Sequence, residues 1–299
     1  MLRKLALPLS FVCLVLVAAL ITSCGSSNSH LGTSCTGGPF NVVGDWQGTL
    51  TTGGMKQNVT GVINSQGEAL FFDSDSSSSG DPAFGSVAVL PAITGACSFS
   101  GTTTAYSSAG AGGGTATGST QGTVNSATSI DASVTVLSNV ATFALSSFSP
   151  LSGSPTSLVG SRGGAIEGAS PSLLPLTFTP GSGNNMTFTN DMALAPNCST
   201  SGTITQEGTT NIFDISIDFS GTAQGCPAPA TISGLGFESN TDYFGATGTN
   251  PVPGTYIYAI SSTSAFVLEV YPPPTVGAQL NMRSPVHSFA AKPSAFIFR

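Results

Sequence analysis

The chain has 299 residues, with 37 Gly, 19 Pro, 6 Cys and a single Trp; 40% of the residues are hydrophobic and only 7% are charged. That apolar share is too large for a disordered chain, and the length allows about two ordinary domains. The net charge of −7 argues against a nucleic-acid partner, which needs clustered positive charge, and the periodic Ala, Leu, Glu and Lys runs of a helical protein are missing.

Arg3 and Lys4 form a short basic start, followed by an uncharged apolar run from Leu5 to Ile21 and then by Thr22, Ser23 and Cys24. A basic segment, an apolar segment and small residues make an export signal, residues 1–23. An uncleaved membrane helix is the alternative, since the run is nearly long enough to span a bilayer, but Pro8 interrupts it. Beyond Arg3 and Lys4 the chain holds five basic and fourteen acidic residues, net −9, which favours solubility.

Residues 24–39, rich in Ser, Gly and Thr, read as a flexible tether. Leu151-Ser-Gly-Ser-Pro-Thr-Ser157 reads as a linker. It separates a first unit, 40–150, from a second, 158–271, with a tail over 272–299 that begins Pro272-Pro273-Pro274. The tail ends in an alternating Phe296-Ile297-Phe298-Arg299. Two stretches suggest that the units are duplicated. Val43–Gly48 matches Val159–Gly164, and Cys97-Ser-Phe-Ser-Gly-Thr102 matches Cys198-Ser-Thr-Ser-Gly-Thr203. A spacing above 100 residues is domain duplication, not a solenoid.

Within each unit the hydrophobic pattern has period two. In Ile212–Phe219 the residues Phe213, Ile215, Ile217 and Phe219 fall on one face and Asp214, Ser216 and Asp218 on the other. Weaker alternation runs through 131–136, 187–193, 255–261 and 265–271. Turn residues separate the runs at Thr52-Gly53-Gly54, Ser65-Gln66-Gly67, Pro180–Gly183 and Gln206-Glu207-Gly208. One wet face and one dry face, repeated every 8–12 residues, predict an all-β chain of two tandem antiparallel domains, each an up-and-down barrel or a sandwich of about eight strands.

Cys13 lies in the signal and Cys24 closes it, leaving Cys35, Cys97, Cys198 and Cys226. An even number in an exported chain predicts disulfides, with three pairings open. Proximity favours Cys198 with Cys226 and Cys35 with Cys97. Each bridge would be worth roughly 3.5–4.5 kcal/mol if unstrained. No CxxC spacing supports zinc.

Catalytic groups are sparse. The two histidines, His30 and His287, fall in the tether and the tail, and Lys56 is the only Lys in either unit. Nucleophilic catalysis usually needs such a base, so a non-catalytic protein is expected. Asp214 with Asp218, or Glu167 with Glu269, are the carboxylate pairs that glycoside hydrolysis would draw on, but a strand's polar face explains the first pair as well. The loop at Asp73, Asp75 and Asp81 has oxygen ligands at alternating positions and is a calcium candidate, but Ser78 and Phe84 stand where a calcium-binding loop of the EF-hand type needs Gly and Glu. Gly110–Gly114 lacks the GK[ST] of a phosphate loop and reads as a hairpin tip. No cofactor is implied.

Three resemblances follow from these residues. Ile21-Thr22-Ser23-Cys24 resembles the lipobox of bacterial lipoproteins, which implies that Cys24 is the lipidated first residue of the mature chain and the membrane its partner. Gly25 after it, in place of the Asp that retains such proteins in the inner membrane, implies the outer membrane. Gly44-Asp45-Trp46-Gln47-Gly48 resembles the opening of lipocalin and avidin-type barrels, in which the Trp packs at one end and the other end holds a small apolar ligand. Trp46 is thus a ligand-binding candidate or simply a core plug, and Arg162 takes its place in the second unit. Finally, Asn197–Ile204, Asn211–Ile215, Gly225-Cys226-Pro227, Thr231–Leu235 and Tyr256–Ile260 resemble uncharacterised bacterial lipoproteins with tandem β-barrel-like repeats. That group implies a bridge between Cys198 and Cys226, and no activity. The expected function is a lipid-anchored envelope protein that binds a partner or serves surface structure. A barrel for an apolar or sugar ligand and an integral outer-membrane barrel are the alternatives.

Overall fold

The computed structural model describes residues 37–73, 86–107, 114–136, 138–148, 159–167, 172–190, 198–221, 230–241, 243 and 255–271. The signal, Cys24, Cys35, Asp75, Asp81, Cys226, both histidines, the linker and the tail lie outside them.

Every regular element among these residues is a strand. The first eight are β1 (Gly44–Thr52), β2 (Met55–Ile63), β3 (Ala69–Asp73), β4 (Ser86–Leu90), β5 (Ser98–Ser107), β6 (Gly114–Ser126), β7 (Ser129–Val136) and β8 (Asn139–Ser147). Each pairs antiparallel with the next, and β1 pairs with β8, so the sheet closes. The next eight repeat the plan: β9 (Gly160–Glu167), β10 (Ser172–Pro180), β11 (Asn185–Asn190), β12 (Cys198–Gln206), β13 (Ile212–Gly221), β14 (Ala230–Ser239), β15 (Tyr256–Ser261) and β16 (Val267–Val270). Here β16 returns to β9. Closure removes the unpaired edges that would otherwise invite aggregation. These are up-and-down barrels, not sandwiches.

Turn chemistry sets the hairpins. Gly53 and Gly54 both have positive φ (57° and 86°) and connect paired Thr52 and Met55. A two-residue turn of this kind needs left-handed backbone at both positions, which glycine adopts without a side-chain clash. Gly95 is more demanding. Its φ is 81°, and a Cβ there would sit 1.9 Å from the Phe40 carbonyl oxygen, whose own amide donates to Gly95 O at 2.8 Å. Gly95→Ala is expected to cost more than about 1 kcal/mol in urea unfolding, whereas an equal midpoint would mean that the 38–42 segment is not held there.

The alternation in sequence becomes an inside and an outside. In the first barrel Trp46, Leu50, Val59, Phe71, Val134 and Phe143 belong to one interior cluster. On β8 the outward Thr142, Ala144 and Ser146 are exposed between buried Ala141, Phe143 and Leu145. In the second barrel Phe178, Phe188, Phe213, Ile217 and Leu268 fill the interior. Asp214 and Asp218 are exposed while Phe213, Ile215, Ile217 and Phe219 are buried, as the period-two pattern requires.

Three short strands depart from that alternation, because β3, β15 and β16 are buried at every position. Their outward side chains meet the other barrel. Val62, Leu70, Phe72 and Val87 of the first barrel share a cluster with Leu235, Phe237, Tyr256, Tyr258 and Ile260 of the second. The two barrels are therefore packed side by side along β2–β4 and β14–β16.

The two barrels correspond at their first strand, where Gly44 and Gly160 both have positive φ (150° and 110°). The cysteine motif does not follow it. Cys97 immediately precedes β5, the fifth strand of its barrel, while Cys198 opens β12, the fourth strand of the other. Since neighbouring strands run oppositely, the two motifs begin at opposite ends of their barrels, and their likeness is local.

Candidate functional site: a buried polar network between the barrels

Trp46 lies at the end of the first barrel where the chain comes in. It is 1% exposed, and its indole N–H donates to Val42 O at 2.8 Å. Val42, Ile93 and partly buried Phe40 pack with it. The indole thus plugs the barrel and ties the incoming chain to it. In the second barrel the same position holds Arg162, paired across the sheet with Leu176 of the interior cluster. Arg162 is buried. Burial lowers its basicity, and attraction to Glu238 opposes this. Glu238 is buried opposite Ile257, another interior residue. One barrel end is sealed by an indole, the other by two opposite charges.

Next to Trp46, Asp45 points the other way. It is paired with Val62 and, like it, faces the second barrel. Its exposure is 0%. Asn211, between β12 and β13, donates from Nδ2 to Asp45 Oδ2 and to the Glu238 carbonyl at 3.4 Å. Asp45 Oδ1 and Asn211 Oδ1 are buried with no hydrogen-bond partner among the described residues. Loss of hydration raises the Asp45 carboxyl from 3.8 to about 7; the Asn211 hydrogen bond opposes the rise and the nearby Glu238 charge adds to it. A carboxyl that titrates near neutrality is what a buried acid next to a like charge is expected to become.

Tyrosines extend the network. The Tyr258 hydroxyl donates to Glu269 Oε1 at 2.6 Å and receives the Tyr243 amide at 2.9 Å. Burial raises the Tyr243 phenol; its bonds to Ser239, Thr60 and Thr241 oppose this, and the Asp45 charge adds to it. The Thr60 contact crosses between barrels. Phe72 of the first barrel sits among Phe237, Tyr243 and Tyr258 of the second, with ring centroids 5.9–6.4 Å apart. At the rim, the Ser65 amide donates to Glu207 Oε2 at 3.0 Å. Burial raises the Glu68 carboxyl, helped by the Asp214 and Glu207 charges.

The residues singled out in the sequence are mostly elsewhere. Asp73 ends β3, buried, and accepts from Gln57 at 3.3 Å; no cluster of three potential metal ligands occurs among the described residues. Asp214 and Asp218 stand on the exposed outer face of β13, and Asp218 accepts from Thr231 at 2.6 Å. Glu269 is buried at the contact between barrels. Cys97 is disulfide-bonded. Cys198 opens β12, and its favoured partner lies outside the described residues. Asp45 and Asn211 stand in the sequence only inside longer motifs, beside Trp46 and Ile212, and Glu238 and Tyr243 in none of them. Their signal was indirect: the unbroken apolar runs Ala69–Phe72 and Tyr256–Ile260 mark strands with two dry faces.

The exterior decides one alternative. Away from the contact, outward positions such as Gln47, Gln121, Asp131, Thr135, Thr142 and Ser146 are exposed and polar, around an apolar interior. A membrane-spanning barrel needs the reverse. The integral-barrel reading is thereby corrected: the alternation it relied on is real but has the opposite sense.

No family model matches the chain, and no curated protein matches it. A solved structure from Bacteroides fragilis NCTC 9343, of a candidate outer membrane protein, aligns with 77% of this chain and 95% of its own, with 13% identity and a TM-score of 0.24. At that level the likeness assigns no function.

Proposed function

We propose that the protein is a lipid-anchored envelope protein, non-catalytic, whose paired barrels stand in the aqueous space beside the membrane and serve a binding or surface-structural role. The observation that carries this reading is the exposed, polar outer face of the described strands away from the contact. Such barrels cannot hold a bilayer themselves, so attachment falls to Cys24 and its acyl chains, several of which anchor stably where one does not. The outer membrane is the favoured location because Gly25, not Asp, follows Cys24. Cys97 lies beside the incoming chain: a Cβ on Gly38 would sit 3.1 Å from its Sγ, only three residues after Cys35. This supports a Cys35–Cys97 bridge fastening the tether to the barrel. The exposed placement of Asp214 and Asp218 supports the non-catalytic reading.

The test is fractionation of a bacterial host producing the full chain and Cys24→Ser. Wild type should require detergent for release from membranes, and the variant should be released without it. A variant that still requires detergent would overturn the anchor.

A further inference from the structure

Asp45 is a charged residue type placed where an ordinary barrel-to-barrel contact would carry an apolar one. Its neighbours Val62, Leu70 and Phe72 on the same face are all apolar. It is fully buried, and Asn211, which donates to its carboxyl, belongs to the other barrel. Asn211 also holds the Glu238 carbonyl, so a single amide spans both barrels. Each barrel, by contrast, is closed by its own strand pairs and filled by its own interior cluster. The contact between the barrels is thus the part of the molecule that can yield without unfolding either one.

We propose that this contact is a proton-operated joint: with Asp45 neutral the barrels are locked together through Asn211, and with Asp45 ionised beside Glu238 the joint loosens while both barrels stay closed. The charged and titratable groups that act on this position are Glu238 on β14 and Tyr243 just after it, with Arg162 on β9 acting on Glu238 and the Tyr258–Glu269 pair further along the same contact. Arg162 is drawn to Glu238, whereas the groups acting on the Asp45 carboxyl are its own burial, the Asn211 hydrogen bond and the Glu238 charge. A carboxyl raised by burial to about 7 puts the transition near neutral pH. Population shift needs only a difference of stability between the two arrangements, which the proton supplies.

The test uses the full mature chain with labelled aromatic rings, followed by NMR. Cross-relaxation between Phe72 and the rings of Phe237 and Tyr258 should be present at pH 5 and lost at pH 9, with a midpoint near neutrality, while contacts inside each barrel, such as Phe178 with Phe188, persist. The Asp45→Asn chain should keep the Phe72 contacts at both pH values. If the Phe72 contacts are equal at pH 5 and pH 9 in wild type, the joint does not exist. Loss of the Phe178–Phe188 contact together with them would mean unfolding, and would equally overturn it. The wild-type titration decides the matter even if the variant does not fold.

Discussion

At pH 8 the Asp45→Asn chain is expected to be more stable than wild type by up to about 4 kcal/mol, and at pH 4 the two should be nearly equal. The sign follows from where the proton sits. The folded chain holds it up to about pH 7, whereas the unfolded chain releases it near 3.8. Between those values the folded form binds more protons, so stability falls as pH rises. The stabilising contribution is complete below about 3.8 and gone above about 7. Three units correspond to about 4 kcal/mol, an upper value since relaxation at the contact would reduce it. Asn retains the shape and can still accept from Asn211, but has no charge to bury. Urea midpoints at pH 4, 6 and 8 check this. A difference between the chains that stays constant with pH, or shrinks towards alkaline pH, would show that Asp45 is not buried as an acid.

Trp46→Ala should have the opposite effect, costing about 3–5 kcal/mol at any pH. The indole is 1% exposed, packs in the interior cluster of the first barrel and donates to Val42 O. Removing it takes away the transfer energy of a large aromatic and leaves a cavity at the end of the barrel. It also leaves the Val42 carbonyl without its donor, and frees the incoming chain. The same measurement bears on the ligand-binding reading of Trp46. If the barrel is filled as described, the loss appears in the urea midpoint. A cost below about 1 kcal/mol, with a hydrophobic dye bound equally by both chains, would instead mean that the indole lines a hollow site. In the second barrel the gap bounded by Ile215, Ile217, Ile232 and Phe266 does not admit even a water molecule.

The strands were legible where one face meets water. Ile212–Phe219 alternates because Asp214 and Asp218 are hydrated on the outside of a barrel filled by Phe213 and Ile217. Glycine turns were legible for the same reason: Gly53 and Gly54 carry positive φ that other residues resist. The buried contact was harder to read. Phe72, Phe237 and Tyr258 look like ordinary core residues, since a sequence shows that a strand is apolar but not which two surfaces it separates. Asp45 was harder still. It sits beside Trp46, in a stretch whose meaning seemed to be the indole, and its polarity matched the hydrated face expected there. The cysteine motif misled in the other direction: two similar hexapeptides fall on strands of opposite direction, because likeness over six residues carries no information about strand count.

By itself the sequence determined the all-β class, which residues of most strands share a face and the acidic, charge-poor character of the chain, because these follow from local periodicity and composition. Tertiary structure alone decided that the sheets close on themselves, that the apolar side is the inside, and that the barrels share a dry face with a carboxyl in it. Closure and docking depend on pairings between residues far apart in the chain, such as β1 with β8 and Asp45 with Asn211. A carboxyl's surroundings, and hence its proton affinity, are set by what lands next to it, not by its neighbours in sequence.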